Sequence, residues 1–233
     1  MKPYLPFSKA LAEIRPNMTL LEHQIEWLTN SGIDRIILAI DRETYQTLGR
    51  IRLHLSERVR FSIEYEKLGT GGAVFKAIKK VKDDIFYVMN VDDILISETY
   101  TPQDLLETLQ ENKDALGSIL LAKTRFPFGI VETASKRVKG FRQKPKLDYK
   151  ICSGHYAFAK EGVRKYFPRK GDFENKVLPR MARDNYLYCK NFMGEWITVN
   201  NIKQLEAAKQ RLMKLFIRET DILPTIWPYL NLQ

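Results

Sequence analysis

Apolar runs and amphipathic stretches alternate along the first half of the chain. Residues 19–31 predict a helix, because apolar side chains recur on one helical face and Thr19 forms a capping box with Glu22. Gly32 ends this helix, and the isoleucine-rich run 34–40 follows. Such a run is typical of a strand that is buried on both faces of a parallel sheet.

The same cycle continues as far as residue 122. We predict strands at 59–65, 85–89 and 116–122, and helices at about 43–54, from a glycine-rich turn to Val81, and at about 102–112. Strands and helices that alternate at this spacing predict a doubly wound α/β fold with a mostly parallel, Rossmann-like sheet.

The second half keeps a mixed α/β character. It predicts a hairpin at 128–133 and 137–142, strands at 151–159, 186–189 and 196–199, and helices at 172–183 and about 202–217. We expect residues 1–217 to form one domain with a smaller mixed subregion. Prolines interrupt residues 222–233, so we expect this stretch to avoid a regular helix. We expect the tail 218–233 to pack on the body or at an interface.

Composition and charge exclude several function classes. The chain has 233 residues, of which 44% are hydrophobic and 28% charged, and a net charge of +10. Its basic residues are interleaved with carboxylates, which favours solvated faces over a nucleic-acid-binding stripe. The apolar runs are far shorter than the ~20 residues that a membrane helix needs. The spacing of Cys152 and Cys189 favours two reduced thiols, so we expect a cytoplasmic protein. From the charge pattern and the short apolar runs we expect that it binds neither nucleic acid nor a membrane.

A glycine-rich turn joins the strand 59–65 to the next helix. It consists of Leu68, Gly69, Thr70, Gly71 and Gly72. Backbone amides in such a turn approach a phosphate or a purine edge closely, and the helix N-terminus favours negative charge. The alternative is that the glycines only let the helix pack tightly on its strand, and the pattern alone does not separate the two.

Two carboxylates follow the apolar strand 85–89 directly. Asp92 and Asp93 stand where the carboxyl end of a sheet strand meets the crevice in which α/β proteins bind ligands. Carboxylate oxygens suit Mg²⁺ beside phosphates, although aspartate is also common in turns and helix caps. The position favours a site role for Asp92 and leaves Asp93 as its solvated neighbour.

Further motifs follow in order along the chain. They are SKAL (8–11), LLEHQ (20–24), FGIVE (128–132), FRQKP (141–145), SGHYAF (153–158), FENKVLP (173–179) and WITV (196–199). Together with the glycine-rich turn and the two carboxylates, they resemble in order and spacing the sugar-1-phosphate nucleotidyltransferases, the nucleotide-sugar pyrophosphorylases. The resemblance spans Pro3 to about Lys209.

The resemblance implies a fold and a reaction. The fold is that of the nucleotide-diphospho-sugar transferases. In the reaction, a nucleoside triphosphate and a sugar 1-phosphate give a nucleoside-diphosphate sugar and pyrophosphate, with Mg²⁺ as cofactor. Catalysis of such a transfer is mostly positioning and charge neutralisation.

Roles carry over position by position. Lys9 would contact the nucleotide phosphates, Asp92 would hold the metal, and the turn 68–72 would line the base and ribose. Lys144 would contact the sugar phosphate, and the sugar would be bound by Gly129, Glu132, Ser153, Gly154 and Glu174. The alternative for the lysines is an ordinary surface cation, and for the glutamates an exposed carboxylate.

The chain also departs from the family pattern. Family members begin with an apolar strand and a G-G-x-G-T-R loop around the triphosphate, neither of which precedes the SKAL motif here. Thr198 stands where the family has a second metal-binding aspartate, Gln143 replaces a glutamate, and Val91 replaces a glycine. A hydroxyl is a poor substitute for a carboxylate at Mg²⁺. These departures leave two interpretations open: an enzyme of this family, or a catalytically silent binding or regulatory subunit.

The missing first strand is central in the sheet of this family. Without it, its neighbours would expose unpaired backbone groups in the interior. We therefore expect one of three arrangements: a start upstream of Met1 that supplies the strand, direct pairing of the flanking strands, or a segment from elsewhere in the slot. The base, the sugar and the oligomeric state, whether a homo-oligomer or a complex with an active subunit, stay open.

Overall fold

The computed structural model describes residues 8–50 and 58–226, with the side chains of residues 8–49 and 58–216. In its first half the strands are β1 (Glu13–Arg15), β2 (Met18–Thr19), β3 (Ile36–Asp41), β4 (Val59–Glu64), β5 (Ile85–Met89) and β6 (Asp93–Ile96). The helices there are α1 (Leu20–Asn30), α2 (Arg42–Arg50), α3 (Gly69–Ala77) and α4 (Gln103–Glu111), with short 3-10 turns at Lys9–Leu11 and Ile78–Lys80.

The second half completes the fold with six strands and three helices in the described part of the chain. The strands are β7 (Gly117–Arg125), β8 (Gly129–Ala134), β9 (Arg137–Gln143), β10 (Lys146–Ala159), β11 (Leu187–Asn191) and β12 (Glu195–Thr198). The helices are α5 (Lys160–Tyr166), α6 (Phe173–Arg183) and α7 (Ile202–Ile226).

The strands form a four-stranded sheet and several two-stranded pairs. The larger sheet has the order β11-β7-β10-β5, in which β11 is parallel to β7 and β10 is antiparallel to both of its neighbours. β3 and β4 form a parallel pair, whereas β6 pairs with β12 and β8 with β9 in antiparallel fashion. The predicted α/β fold is confirmed, and its sheet is mixed.

Helices cover both faces of the larger sheet. On β10, Tyr156 and Phe158 pack against α3, α5 and α6, while Ala157 between them packs on the side of α4. Successive strand residues point to opposite faces, so the apolar run 156–158 serves two cores at once. Because Phe158 and Ala157 are both fully buried, this is the doubly wound arrangement that the alternating pattern predicted.

Some predicted boundaries are wrong. α7 continues to Ile226, so residues 222–226 are helical despite Pro224. One proline removes a single backbone hydrogen bond, and a long helix tolerates that loss, as α6 does at Pro179. β6 lies between the predicted strand 85–89 and the predicted helix 102–112, where we predicted no strand. Its local signal is only the short apolar run 94–96, and its partner β12 lies far along the chain. Residues 51–54 of the predicted helix and 227–233 of the tail lie outside the described residues.

The described helices include none with both the length and the apolar character needed to cross a bilayer. The two cysteines, Cys152 and Cys189, are free thiols, as predicted.

A cavity separates β3 from β5. Within the described residues, β3 pairs only with β4 and β5 only with β10. Both strands line a cavity of about 1180 Å³ along their whole length. Direct pairing of these two strands, one of the three arrangements considered above, is therefore absent from this structure.

Candidate functional site

The cavity has a polar end at the carboxyl ends of the strands. Asp41 is the last residue of β3, Glu64 is the last residue of β4, and Asn90 follows β5. All three line the cavity, together with Thr70 of the glycine-rich turn and Asp92. The carboxyl edge of the strands in an α/β sheet is where such folds bind ligands, so this end is the candidate site.

Lys9 and Asp92 meet at this polar end. The 3-10 turn Lys9–Leu11 carries the lysine, and its Nζ donates a hydrogen bond to Oδ2 of Asp92, 83 residues away along the chain. The Asp92 side chain is only 15% exposed, whereas that of Lys9 is 37% exposed. The ion pair therefore holds Lys9 against Asp92, which lines the cavity and is mostly shielded from solvent.

Asp93 is buried, contrary to the prediction that it is a solvated neighbour of Asp92. It begins β6 and is 6% exposed. Its carboxylate accepts hydrogen bonds from Nδ2 of Asn90 and from Nε1 of Trp196, both at 3.2 Å. Burial, and then the charge of Asp92, raise the pKa of Asp93 to about 6. The signal that we missed was the apolar run after Asp93, which makes this residue the first of a strand.

Thr198 lies beside both aspartates. It is opposite Asp93 in the β6–β12 pairing, and its side chain hydrogen-bonds to the carboxylate of Asp93. The next residue, Val199, donates its N–H to the carbonyl oxygen of Asp92 at 2.8 Å. The position where the family has a second aspartate therefore adjoins the acidic pair, but it carries a neutral hydroxyl.

A buried network fixes the backbone that carries the two aspartates. Nε2 of Gln24 donates to the carbonyl oxygens of Val91 and Asp93 at 3.1 and 2.9 Å. Nε2 of His155 lies 3.0 Å from the Asp93 carbonyl oxygen, and the Tyr87 hydroxyl lies 2.6 Å from Nδ1. A carbonyl only accepts, so Nε2 carries the proton and Nδ1 accepts from the tyrosine. Burial lowers the pKa of His155 to about 4, which keeps this imidazole neutral.

Protein groups already occupy the amides of the glycine-rich turn. Thr70 donates its N–H to Oδ1 of Asp172 at 3.1 Å, and Gly71 and Gly72 donate theirs to the Gly171 carbonyl oxygen at 2.9 and 3.1 Å. A Cβ at Gly71 would lie 2.8 Å from that same oxygen. Close packing of the loop before α6 thus accounts for the glycines, which is the structural alternative that the pattern left open.

Glu174 and Ser153 are also held by protein groups. Glu174 accepts a 2.5 Å hydrogen bond from the Thr70 hydroxyl, which ties the first turn of α6 to the glycine-rich turn. Ser153 is fully buried, and its hydroxyl donates to the Leu120 carbonyl oxygen at 3.0 Å. Gly154 has a φ of +79°, and a Cβ there would lie 1.9 Å from Oδ2 of Asp93. These contacts place Gly154 against the acidic pair.

The remaining predicted residues lie on the β8–β9 hairpin and its end. Gly129 and Glu132 are in β8, and Lys144 follows β9 with a φ of 44°. Glu132 pairs with Arg142 at 3.1 Å, and its side chain is 61% exposed. None of these three is among the residues that line the cavity. Lys9 is not among them either, but its ion pair with Asp92 ties it to a lining residue, whereas the hairpin residues have no such contact among the described hydrogen bonds and ion pairs.

The donor set at the acidic pair suits Mg²⁺ only together with phosphate. Among the described residues, no group of three histidine, cysteine or acidic side chains is arranged to hold a metal. Mg²⁺ at nucleotide sites is commonly held by one or two carboxylates plus substrate phosphates. Asp92 fits the part of the single carboxylate ligand, whereas Asp93 faces Asn90 and Trp196.

The family model for nucleotidyl transferases matches residues 6–214. Two Arabidopsis thaliana proteins are similar. The probable mannose-1-phosphate guanylyltransferase 3 is 28% identical, and the match covers 80% of this chain and 59% of that protein. The mannose-1-phosphate guanylyltransferase 1 is 31% identical, and the match covers 84% of this chain and 56% of that protein. The chain thus spans little more than half of these relatives.

The fold also matches a solved structure. A putative glucose-1-phosphate thymidylyltransferase from Bacillus anthracis superposes with a TM-score of 0.67 at 15% identity, over 90% of this chain and 89% of that one. The family model covers most of the chain and the fold agrees with it, so the chain belongs to the nucleotidyl transferase family.

Proposed function

We propose that the polar end of the cavity binds a nucleoside triphosphate and a sugar 1-phosphate and transfers the nucleotidyl group between them. The observation that carries the proposal is the contact of Lys9 with Asp92, which lines the cavity at the carboxyl edge of the strands, as Thr70 does. The names of the two plant relatives favour guanosine triphosphate and mannose 1-phosphate as the substrates.

The transfer is an in-line displacement at phosphorus. A phosphate oxygen of the sugar 1-phosphate forms a bond to the α-phosphorus, and the bond from that phosphorus to the bridging oxygen of the β-phosphate breaks, which releases pyrophosphate. Lys9 neutralises phosphate charge once its ammonium group turns from Asp92 to the nucleotide. Mg²⁺, held by Asp92 and phosphate oxygens, would supply further charge neutralisation.

Other residues bind and orient the substrates in this proposal. Leu68 and the glycine-rich turn line the base and ribose through side-chain and Cα surface, because the amides of Thr70, Gly71 and Gly72 are engaged. Gly154 and Glu174 contact the sugar. Ser153 contributes through its backbone, since its hydroxyl is buried. Lys144 reaches the sugar phosphate, and Gly129 and Glu132 reach the sugar, only if the β8–β9 hairpin moves toward the cavity.

Pyrophosphate release tests this proposal. The protein is assayed with Mg²⁺ and a panel of triphosphates and sugar 1-phosphates that includes guanosine triphosphate with mannose 1-phosphate. We expect turnover that Lys9→Met and Asp92→Asn each reduce by about 10² or more, since each removes charge stabilisation at the reacting phosphates. Lys139→Met on β9, outside the cavity, is the matched control. Turnover that survives Asp92→Asn unchanged would contradict the assignment.

A second candidate function is binding without turnover, as a regulatory partner of an active subunit. The observation that favours it is Thr198, a neutral side chain beside the acidic pair. Calorimetric titration with guanosine triphosphate and with a guanosine-diphosphate sugar separates the two functions. Binding of guanosine triphosphate without pyrophosphate release supports the silent subunit. Pyrophosphate release from the substrates that bind supports the enzyme. The free thiols favour a reducing compartment, the cytoplasm, for either function.

A further inference from the structure

Asp92 lies at the corner of a β-turn that its own backbone closes only weakly. The turn runs from Asn90 to Asp93, with Val91 and Asp92 as its two central residues. The N–H of Asp93 donates to the Asn90 carbonyl oxygen at 3.3 Å. This bond is longer than the roughly 2.7 to 3.2 Å that is usual for such a pair. The proposed metal ligand is therefore carried by a turn that needs support from other parts of the protein.

The orientation of one peptide group decides how this turn presents Asp92. The central peptide of a β-turn, here the one between Val91 and Asp92, can face either way. The reversed, type II orientation requires a positive φ at Asp92, which is absent from this structure. Aspartate tolerates that conformation better than most residues do, so the backbone alone does not prevent the reversal. Reversal would shift the Asp92 nitrogen and turn the Cα–Cβ bond that directs the carboxylate to Lys9.

Gln24 holds this peptide in its present orientation. Its Nε2 donates to the Val91 carbonyl oxygen at 3.1 Å and to the Asp93 carbonyl oxygen at 2.9 Å, across 67 and 69 residues of the chain. Because carbonyl oxygens only accept, the nitrogen of the amide must face them, and both of its protons are used. Gln24 lies within α1 and is only 4% exposed, so the packing of α1 fixes where these two bonds are made.

The two carbonyls that Gln24 holds differ in how many donors they have. The Asp93 carbonyl has a second donor, Nε2 of His155, at 3.0 Å. Among the hydrogen bonds that the structure describes, the bond from Gln24 is the only one to the Val91 carbonyl. Loss of the Gln24 amide would therefore leave Asp93 held and release the peptide that precedes the Asp92 side chain.

We propose that Gln24 is a positioning residue of the transferase site. By holding the Val91 carbonyl, it sets the direction from which the Asp92 carboxylate meets Lys9 and Mg²⁺, so it acts through Asp92. Its effect on turnover rests on the proposed function, whereas its effect on the geometry of the turn does not. Removal of a residue that orients a metal ligand typically costs about 10- to 100-fold in metal affinity or activity.

Gln24→Met tests the proposal, because methionine has a similar length but no N–H to donate; Gln24→Leu is a second variant of similar size. Crystal structures of the variants and of the unchanged protein give a readout that does not depend on activity. We expect the peptide between Val91 and Asp92 to reverse or to occupy two orientations in the variants. In the pyrophosphate assay, kcat should fall by about 10- to 100-fold. In the Asp92→Asn background, Gln24→Met should cause no further loss, because its effect passes through that carboxylate.

Three results would overturn the proposal. The first is an unchanged turn in the crystal structures of both Gln24 variants. The second is an additional loss of kcat when Gln24→Met is combined with Asp92→Asn, since a purely structural role predicts additive losses. The third is an equal fall of kcat in Leu109→Ala, a control in α4 that removes buried apolar contacts and should lower stability alone. Absence of turnover in the unchanged protein would contradict only the proposed function, and the crystal structures would then decide the role of Gln24.

Discussion

The raised pKa of Asp93 predicts how removal of its charge changes the pH dependence of stability. Burial and the neighbouring charge of Asp92 raise this pKa from 3.8 to about 6. Between pH 4 and 6 the folded protein keeps the proton while the unfolded chain releases it, so the contribution of Asp93 to the free energy of unfolding falls as the pH rises. At 1.36 kcal/mol per pKa unit, a difference of about two units costs about 3 kcal/mol, all of it present by pH 7.

Two histidines, the fully buried His155 and the half-buried His23, titrate in the same range with the opposite sign. Burial lowers the pKa of His23 and of His155 from 6.5 to about 4. Each histidine therefore contributes stability that is complete above pH 6.5 and is lost as the pH falls toward 4. The profile of the unchanged protein is the sum of these opposing contributions, and only a comparison with a variant isolates the part due to Asp93.

Asp93→Asn provides that comparison. We expect the free energy of unfolding of the variant, measured by urea denaturation from pH 4 to 8, to gain about 3 kcal/mol relative to the unchanged protein between pH 4 and 7. Altered hydrogen bonds to Asn90 and Trp196 add an offset that does not depend on pH. Asp148→Asn, at an exposed position in β10, controls for the loss of one negative charge. A difference curve that stays flat from pH 4 to 8 would refute the reasoning.

Two further substitutions probe the turn and the acidic pair. Gly71→Ala should lower the free energy of unfolding by about 1 to 3 kcal/mol, because the new Cβ would lie 2.8 Å from the Gly171 carbonyl oxygen. Chemical denaturation measures this loss, and Gly49→Ala in α2, with nothing within 4 Å of its Cβ, should be neutral or stabilising. Thr198→Asp should strengthen Mg²⁺ binding in a calorimetric titration, because it adds a carboxylate beside Asp92. Thr198→Asn is the neutral control. Equal affinity for Mg²⁺ in both variants would contradict this expectation.

Local sequence patterns predicted a helix or strand well where all the residues that form the pattern lie within that one element. The capping box at Thr19 is present, with Glu22 donating its N–H to the threonine hydroxyl at 3.2 Å. The isoleucine-rich run became β3 within two residues of its predicted start. Such signals depend on neighbours three or four positions away, so a single sequence contains them.

Contacts between distant segments escaped prediction. The glycine-rich turn is capped by Gly171 and Asp172, about a hundred positions further along the chain, so its glycines could not be assigned to packing or to a phosphate from sequence alone. Asp93 is buried because β6 pairs with β12; the apolar run after Asp93 indicates a strand, but it does not indicate this distant partner. Resemblance to a family assigned Lys9 to the nucleotide phosphates and Asp92 to the metal, but it did not predict their ion pair, and their spacing of 83 residues carries no such signal.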